Sequence, residues 1–69
     1  MRHPFEDKPN SEIIELINEY IHSERDRNIM KRRLVDGICF EPLAEEMDLS
    51  TLQVKRIVYK QSEVLSHYI

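Results

Sequence analysis

From Ser50 to Ser62 the chain reads STLQVKRIVYKQS and holds no acidic residue. The residue types able to do recognition chemistry concentrate here. Lys55, Arg56 and Lys60 carry positive charge, Gln53 an amide, Ser50 and Thr51 hydroxyls, and Tyr59 a phenol, with Leu52 among them. Lysine and arginine contact phosphates or guanine edges, glutamine can read adenine, and serine and threonine can contact either. The chemistry on offer is therefore noncovalent. No pair of carboxylates, Cys–His couple or glycine-rich loop stands at a working spacing elsewhere, so no enzyme activity and no cofactor is expected. His3 has no partners at metal-ligand spacing, and no metal site is expected. A second basic group, Lys31, Arg32 and Arg33, is open to two readings: an ordinary solvated face with bases near a helix end, or a set of phosphate contacts.

The elements that must hold these side chains are legible as four helices and no sheet, near residues 11–22, 24–36, 41–47 and 51–66. Residues 1–10 hold two prolines and no period, and read as an N-terminal arm before a single helical domain at 11–69. In the first helix Ile13, Ile14, Leu16, Ile17, Tyr20 and Ile21 fill one arc, and Glu12, Glu15, Asn18, Glu19 and His22 the other, an amphipathic pattern. Ser23 can cap the second helix, with Asp26 three residues on approximating a capping box. Its apolar set is Ile29, Met30, Leu34 and Val35, and Gly37 can end it in a left-handed conformation.

Phe40 to Tyr59 reads as a helix-turn-helix, in which a second helix is carried into the major groove. Pro42 fits the first turn of a short helix, where a missing N–H costs nothing. Leu43, Ala44 and Met47 line its inner face, Asp48 and Leu49 break the rhythm, and Ser50 can cap the next helix. On that helix Val54, Ile57, Val58, Val64, Leu65 and Tyr68 form the apolar arc, with Gln61 in its midst. Ala44 is the small residue expected where the two helices cross. Cys39 falls at the N-cap of the short helix, as a small, semi-buried residue. The expected core is Ile13, Ile17, Tyr20, Ile21, Met30, Leu34, Ile38, Phe40, Leu43, Ala44, Met47, Leu49, Val54, Ile57, Val58 and Leu65. The apolar tail through Ile69 either folds back on the first helix or forms a dimer seam, which leaves monomer and homodimer both open.

Composition limits the function classes. At 69 residues the chain can bury one modest core and no deep catalytic cleft. Its apolar runs are short and broken by charge, so neither a membrane-spanning segment nor a signal peptide is expected. The single cysteine forms no internal disulfide and suits a reducing cytoplasm. The net charge of -3 argues against nucleic acid, but it is uneven: residues 1–24 carry -4 and residues 25–69 carry +1. A nucleic acid meets a face and not a total.

From about His22 to Leu65 the chain resembles region four of bacterial sigma factors and, more loosely, the LuxR-type response-regulator domain. The resemblance rests on Asp36-Gly37 as a helix stop, Phe40, Leu43-Ala44-Glu45 in the first helix of the motif, Asp48-Leu49-Ser50 at the turn, and Gln53-Val54-Lys55 in the recognition helix. Asp48 departs from the glycine usual at the turn, though Asp tolerates the left-handed conformation better than most residues. What is resembled is an isolated region four, of the kind found as small regulators on bacterial, phage or mobile-element genomes. The resemblance implies sequence-specific binding of double-stranded DNA in transcription regulation, with Thr51, Leu52, Lys55, Arg56 and Tyr59 towards the promoter. Leu52 and Tyr59 are less typical and leave the target sequence open. The alternative is a protein-interaction module that binds RNA polymerase or a partner transcription factor.

Overall fold

Alternating apolar and acidic residues at helical spacing make α1 (Asn10–Tyr20) the first element of a computed structural model that describes residues 8–68. It is followed by α2 (Glu24–Leu34), α3 (Phe40–Met47) and α4 (Thr51–Ser66), and the described residues contain no strand. The expected small four-helix, all-α domain is what forms. Most of the expected arm, with His3, lies outside the described residues, as does Ile69. The helix begins one residue before Ser11, because the Pro9 carbonyl already accepts from the N–H groups of Glu12 and Ile13, at 3.1 and 3.2 Å. It stops at Tyr20, before the expected residue 22, since Ile21 turns extended at φ -105. Arg27 of α2 donates its Nε–H to the Ile21 carbonyl, which satisfies a backbone acceptor at that end.

Each helix contributes one buried stripe. Ile13, Ile17 and Ile21 come from α1 and its end, Ile29 and Met30 from α2, Leu43 and Ala44 from α3, and Val54, Val58 and Leu65 from α4. Fully burying a side chain of this size contributes about 1.5–3 kcal/mol, more than any single cap or surface ion pair, so these stripes set the arrangement. The expected core is right at its centre and too generous at its rim. Tyr20, Leu34, Ile38, Phe40, Met47, Leu49 and Ile57 are only partly buried, whereas Ile29, not among the expected core residues, is fully enclosed. Ala44 is buried between its neighbours, as its small size suggested. Beyond α4, the Tyr68 ring stacks on Tyr20 with centroids 3.7 Å apart, so this part of the tail lies against α1.

One polar group enters the core. Asp26 is 8 % exposed. Its N–H donates to the Ser23 hydroxyl at 3.3 Å, the forward half of the expected capping box. Its carboxylate does not complete that box. It turns across the domain and accepts from Gln61 Nε2 of α4 at 2.8 Å, and from Arg25 Nε at 3.2 Å. That bond accounts for a glutamine set within an apolar arc: the amide supplies the donor that a buried carboxylate requires.

Two of the three connections are settled by left-handed residues. Gly37, at φ 70, turns the chain so that the Ile38 N–H reaches the Arg32 carbonyl at 3.1 Å. Asp48, at φ 57 and ψ 42, ends α3, and Leu49 and Asp48 donate to the Ala44 and Glu45 carbonyls at 2.9 and 3.2 Å. Those are the paired bonds of a Schellman-type ending, and Leu49 packs against the core as that ending favours.

Two outcomes follow for stability. Asp48→Gly relieves a left-handed L-residue and is expected to raise unfolding free energy by about 1 kcal/mol, read from the denaturant midpoint; a lower midpoint would mean that the aspartate side chain itself holds the turn. Gln61→Leu strands the buried Asp26 carboxylate with Arg25 alone and is expected to cost about 1–3 kcal/mol. An unchanged midpoint in that variant would remove the Asp26–Gln61 bond from the account of the fold.

Candidate nucleic-acid interface

The inner side of α4 is fixed by Val54, Val58, Gln61 and Leu65, and what the helix shows on its other side follows from its 3.6-residue turn. Leu52, Arg56 and Tyr59 stand one and two turns apart on that outward side and are exposed, Leu52 to 59 % and Tyr59 to 63 %. Lys60 is exposed beside Arg56, and Lys55 and Thr51 are half-buried on the flank. The first acid that α4 presents is Glu63, near its end. The acid-free stretch of sequence therefore leaves the first three turns of this helix without an acidic side chain of their own.

The start of α4 is locked by a reciprocal cap. The Ser50 hydroxyl accepts the Gln53 N–H at 3.2 Å, and the Gln53 Oε1 accepts the Ser50 N–H at 2.9 Å. Both side chains were candidates for reading bases, and here both are turned back on the helix's own first turn.

The basic cluster on α2 divides. Arg33 leaves its neighbours and lays its guanidinium over the Phe40 ring, 4.3 Å from the centroid, while donating Nη1–H to the Ile38 carbonyl at 3.0 Å. The Lys55 ammonium lies 5.7 Å from the same ring, and Tyr59 meets it edge-on at 6.2 Å. Phe40, expected simply as core, is thus the aromatic post on which Arg33, Lys55 and Tyr59 from two other helices converge. In sequence the only hint is an aromatic residue three positions after the glycine of a helix stop.

Arg32 faces elsewhere. It makes two hydrogen bonds to Glu46 of α3, at 2.8 and 2.7 Å, and a third to Asp36 at 2.9 Å. The hydrogen bond from Arg32 holds the Glu46 carboxyl below its ordinary range, and the bonds to Glu46 and Asp36 raise Arg32 further still. Its charge is matched within the domain by two carboxylates. Lys31 is half-buried in the last turn of α2. Of the three clustered bases, Arg33 is the one that joins the α4 surface. Cys39 caps α3 without a side-chain hydrogen bond and is exposed, not semi-buried, because the chain leaves the core between Ile38 and Phe40.

Among the described residues no group of three or more His, Cys, Asp or Glu side chains is gathered that could hold a metal ion, and no helix is long and apolar enough to cross a membrane. Comparison of the chain with family models, with curated proteins and with solved structures gives no match.

The Arg32–Glu46 pair has a definite pH signature. A carboxyl whose folded pKa is depressed contributes stability above its unfolded value, and that contribution is lost as pH falls through the folded value. Wild type is therefore expected to exceed Arg32→Ala in denaturant midpoint at pH 7, with the gap closing as pH falls below the ordinary glutamate value of 4.5. A gap that persists undiminished at pH 3 would assign the effect to packing of the arginine stem instead.

Proposed function

We propose that this chain is a cytoplasmic, sequence-specific DNA-binding regulator of transcription, with α3 and α4 acting as a helix-turn-helix in the manner of an isolated sigma-factor region four. One observation carries the reading. The outward face of α4 holds Leu52, Lys55, Arg56, Tyr59 and Lys60 with no carboxylate among them, while its inner face is fastened to the rest of the domain. A rigid helix with a cationic, acid-free outer side suits a major groove flanked by phosphates. The three-residue connection Asp48-Leu49-Ser50 and the packing of α3 against α4 support the same reading.

Roles divide by reach. Arg56 stands in the second turn of α4, exposed, with a side chain able to grip guanine through two hydrogen bonds. Lys55 and Arg33, gathered on Phe40, and Lys60 on the other flank suit the backbone phosphates. Arg32, offset by Glu46 and Asp36, orients α2 against α3 and adds little charge to the face.

A second reading rests on α1, whose outer side carries exposed Glu12, Glu15 and Glu19. That acidic face favours a basic protein surface, such as RNA polymerase or a partner factor, and leaves the α4 face available.

Binding titrations at two salt concentrations, on selected and scrambled duplexes, separate the readings. Duplex affinity is expected to fall with rising salt as counterions are released on binding. Arg56→Ala is expected to cost about 1–3 kcal/mol on the selected duplex and little on the scrambled one. If wild type shows no salt-sensitive binding to any duplex, the DNA reading fails and the protein-partner reading takes its place.

A further inference from the structure

The first turn of the recognition surface has an unusual shortage of polar readers. Residues there lie closest to base edges when a helix enters the major groove. Yet Ser50 and Gln53 are bound to each other's backbone in the cap of α4. Reading adenine requires the glutamine to offer both its oxygen and its amide hydrogens. The Gln53 Oε1 already accepts from the Ser50 N–H, so that pairing competes with the cap for the same oxygen.

The exposed side chain of this turn that takes no part in the cap is apolar. Leu52 is the second residue of α4 and is 59 % exposed, although the inner arc of the same helix is buried. A single exposed leucine needs no explanation on its own. This one has a context: Arg56 and Tyr59 continue its face, and no carboxylate interrupts the helix before Glu63. The major-groove edges of the bases carry donors and acceptors, with one apolar exception, the C5 methyl of thymine.

We propose that Leu52 is a specificity-determining residue that packs on a thymine C5 methyl, so that the bound site carries a thymine opposite the first turn of α4 and Arg56 reads the adjoining bases. This rests on the DNA-binding reading above and adds the base that the first turn selects. The contact removes one methyl group and the leucine end from water. A single buried carbon of that kind changes affinity by about three- to tenfold.

The test uses the full chain and a duplex enriched by the wild-type protein from a random-sequence pool. Each thymine in turn is replaced by deoxyuracil, which lacks only the C5 methyl and keeps every hydrogen-bonding group. Wild type is expected to lose about three- to tenfold in affinity at one thymine position and to be indifferent at the others. Leu52→Ala, substituted at an exposed site, is expected to melt with wild type, to bind the unmodified duplex more weakly, and to be indifferent to deoxyuracil at every position. Wild type that binds the duplex but tolerates deoxyuracil throughout overturns the proposal and leaves DNA binding intact. So does a Leu52→Ala protein as sensitive to deoxyuracil as wild type, or one with unaltered duplex affinity, the result expected if Leu52 serves a protein partner. Failure of wild type to enrich any duplex overturns both readings together.

Discussion

The contact between α2 and α4 carries this domain. Each of these helices packs against the other and against both α1 and α3, whereas α1 and α3 make no packing contact with each other. Ile29 and Met30 on one side, and Val54, Val58 and Leu65 on the other, are almost completely enclosed. Within this apolar contact sits the Asp26–Gln61 hydrogen bond. A hydrophobic stripe tolerates sliding by a fraction of a turn, since burial has no direction. A buried carboxylate does not, because sliding takes away the donor that Gln61 supplies across the contact and leaves it with Arg25 alone. The bond therefore fixes the register in which α4 lies across α2, and with it the direction in which the other face of α4 points.

That second face owes its shape to Phe40. A ring held partly in the core lies beneath Arg33 and Lys55 and makes a T-shaped contact with Tyr59. Two cations close to one ring would repel in the absence of solvent, but both are near the surface, where water and the ring's negative face reduce the cost. The effect is to draw a base from the end of α2 into line with the basic side of α4. Arg32, the next residue along, goes to Glu46 and Asp36 and so to the contact between α2 and α3. Adjacent arginines thus meet different neighbours, Arg33 the Phe40 ring and Arg32 the carboxylates of Glu46 and Asp36, because successive residues on a helix point about 100° apart.

Local geometry at the start of α4 also occupies two of its polar side chains. The Ser50–Gln53 cap uses two side chains to satisfy backbone donors that a helix end leaves bare. A cap of this kind contributes about 1 kcal/mol and keeps the first turn ordered. A domain with so small a core has need of that order at the end of its longest helix. The same bonds engage two exposed polar side chains in the cap, while the exposed Leu52 beside them takes no part in it.

Much of the fold was determined by the sequence itself. Period and capping residues located four helices within two residues or so of where they form, because Ser23, Gly37, Asp48 and Ser50 act on their own neighbours through backbone geometry. The buried stripes of α1 and α4 were legible for the same reason: a helix sorts its residues by angle before it meets any partner. Three features were decided only by tertiary structure. The Asp26 N–H caps onto Ser23 as expected, but its carboxylate, expected to complete that box, accepts from Gln61, thirty-five residues away. Phe40 looked like core and instead gathers cations from two other helices. Lys31, Arg32 and Arg33 looked like one cluster and separate into different environments. Each depends on which side chains converge from distant parts of the chain, and convergence is set by packing angles that no local pattern encodes. The sequence by itself determined where the helices lie and which faces they bury; the packing of α2 against α4 decided which polar groups are drawn inward and which stay on the surface.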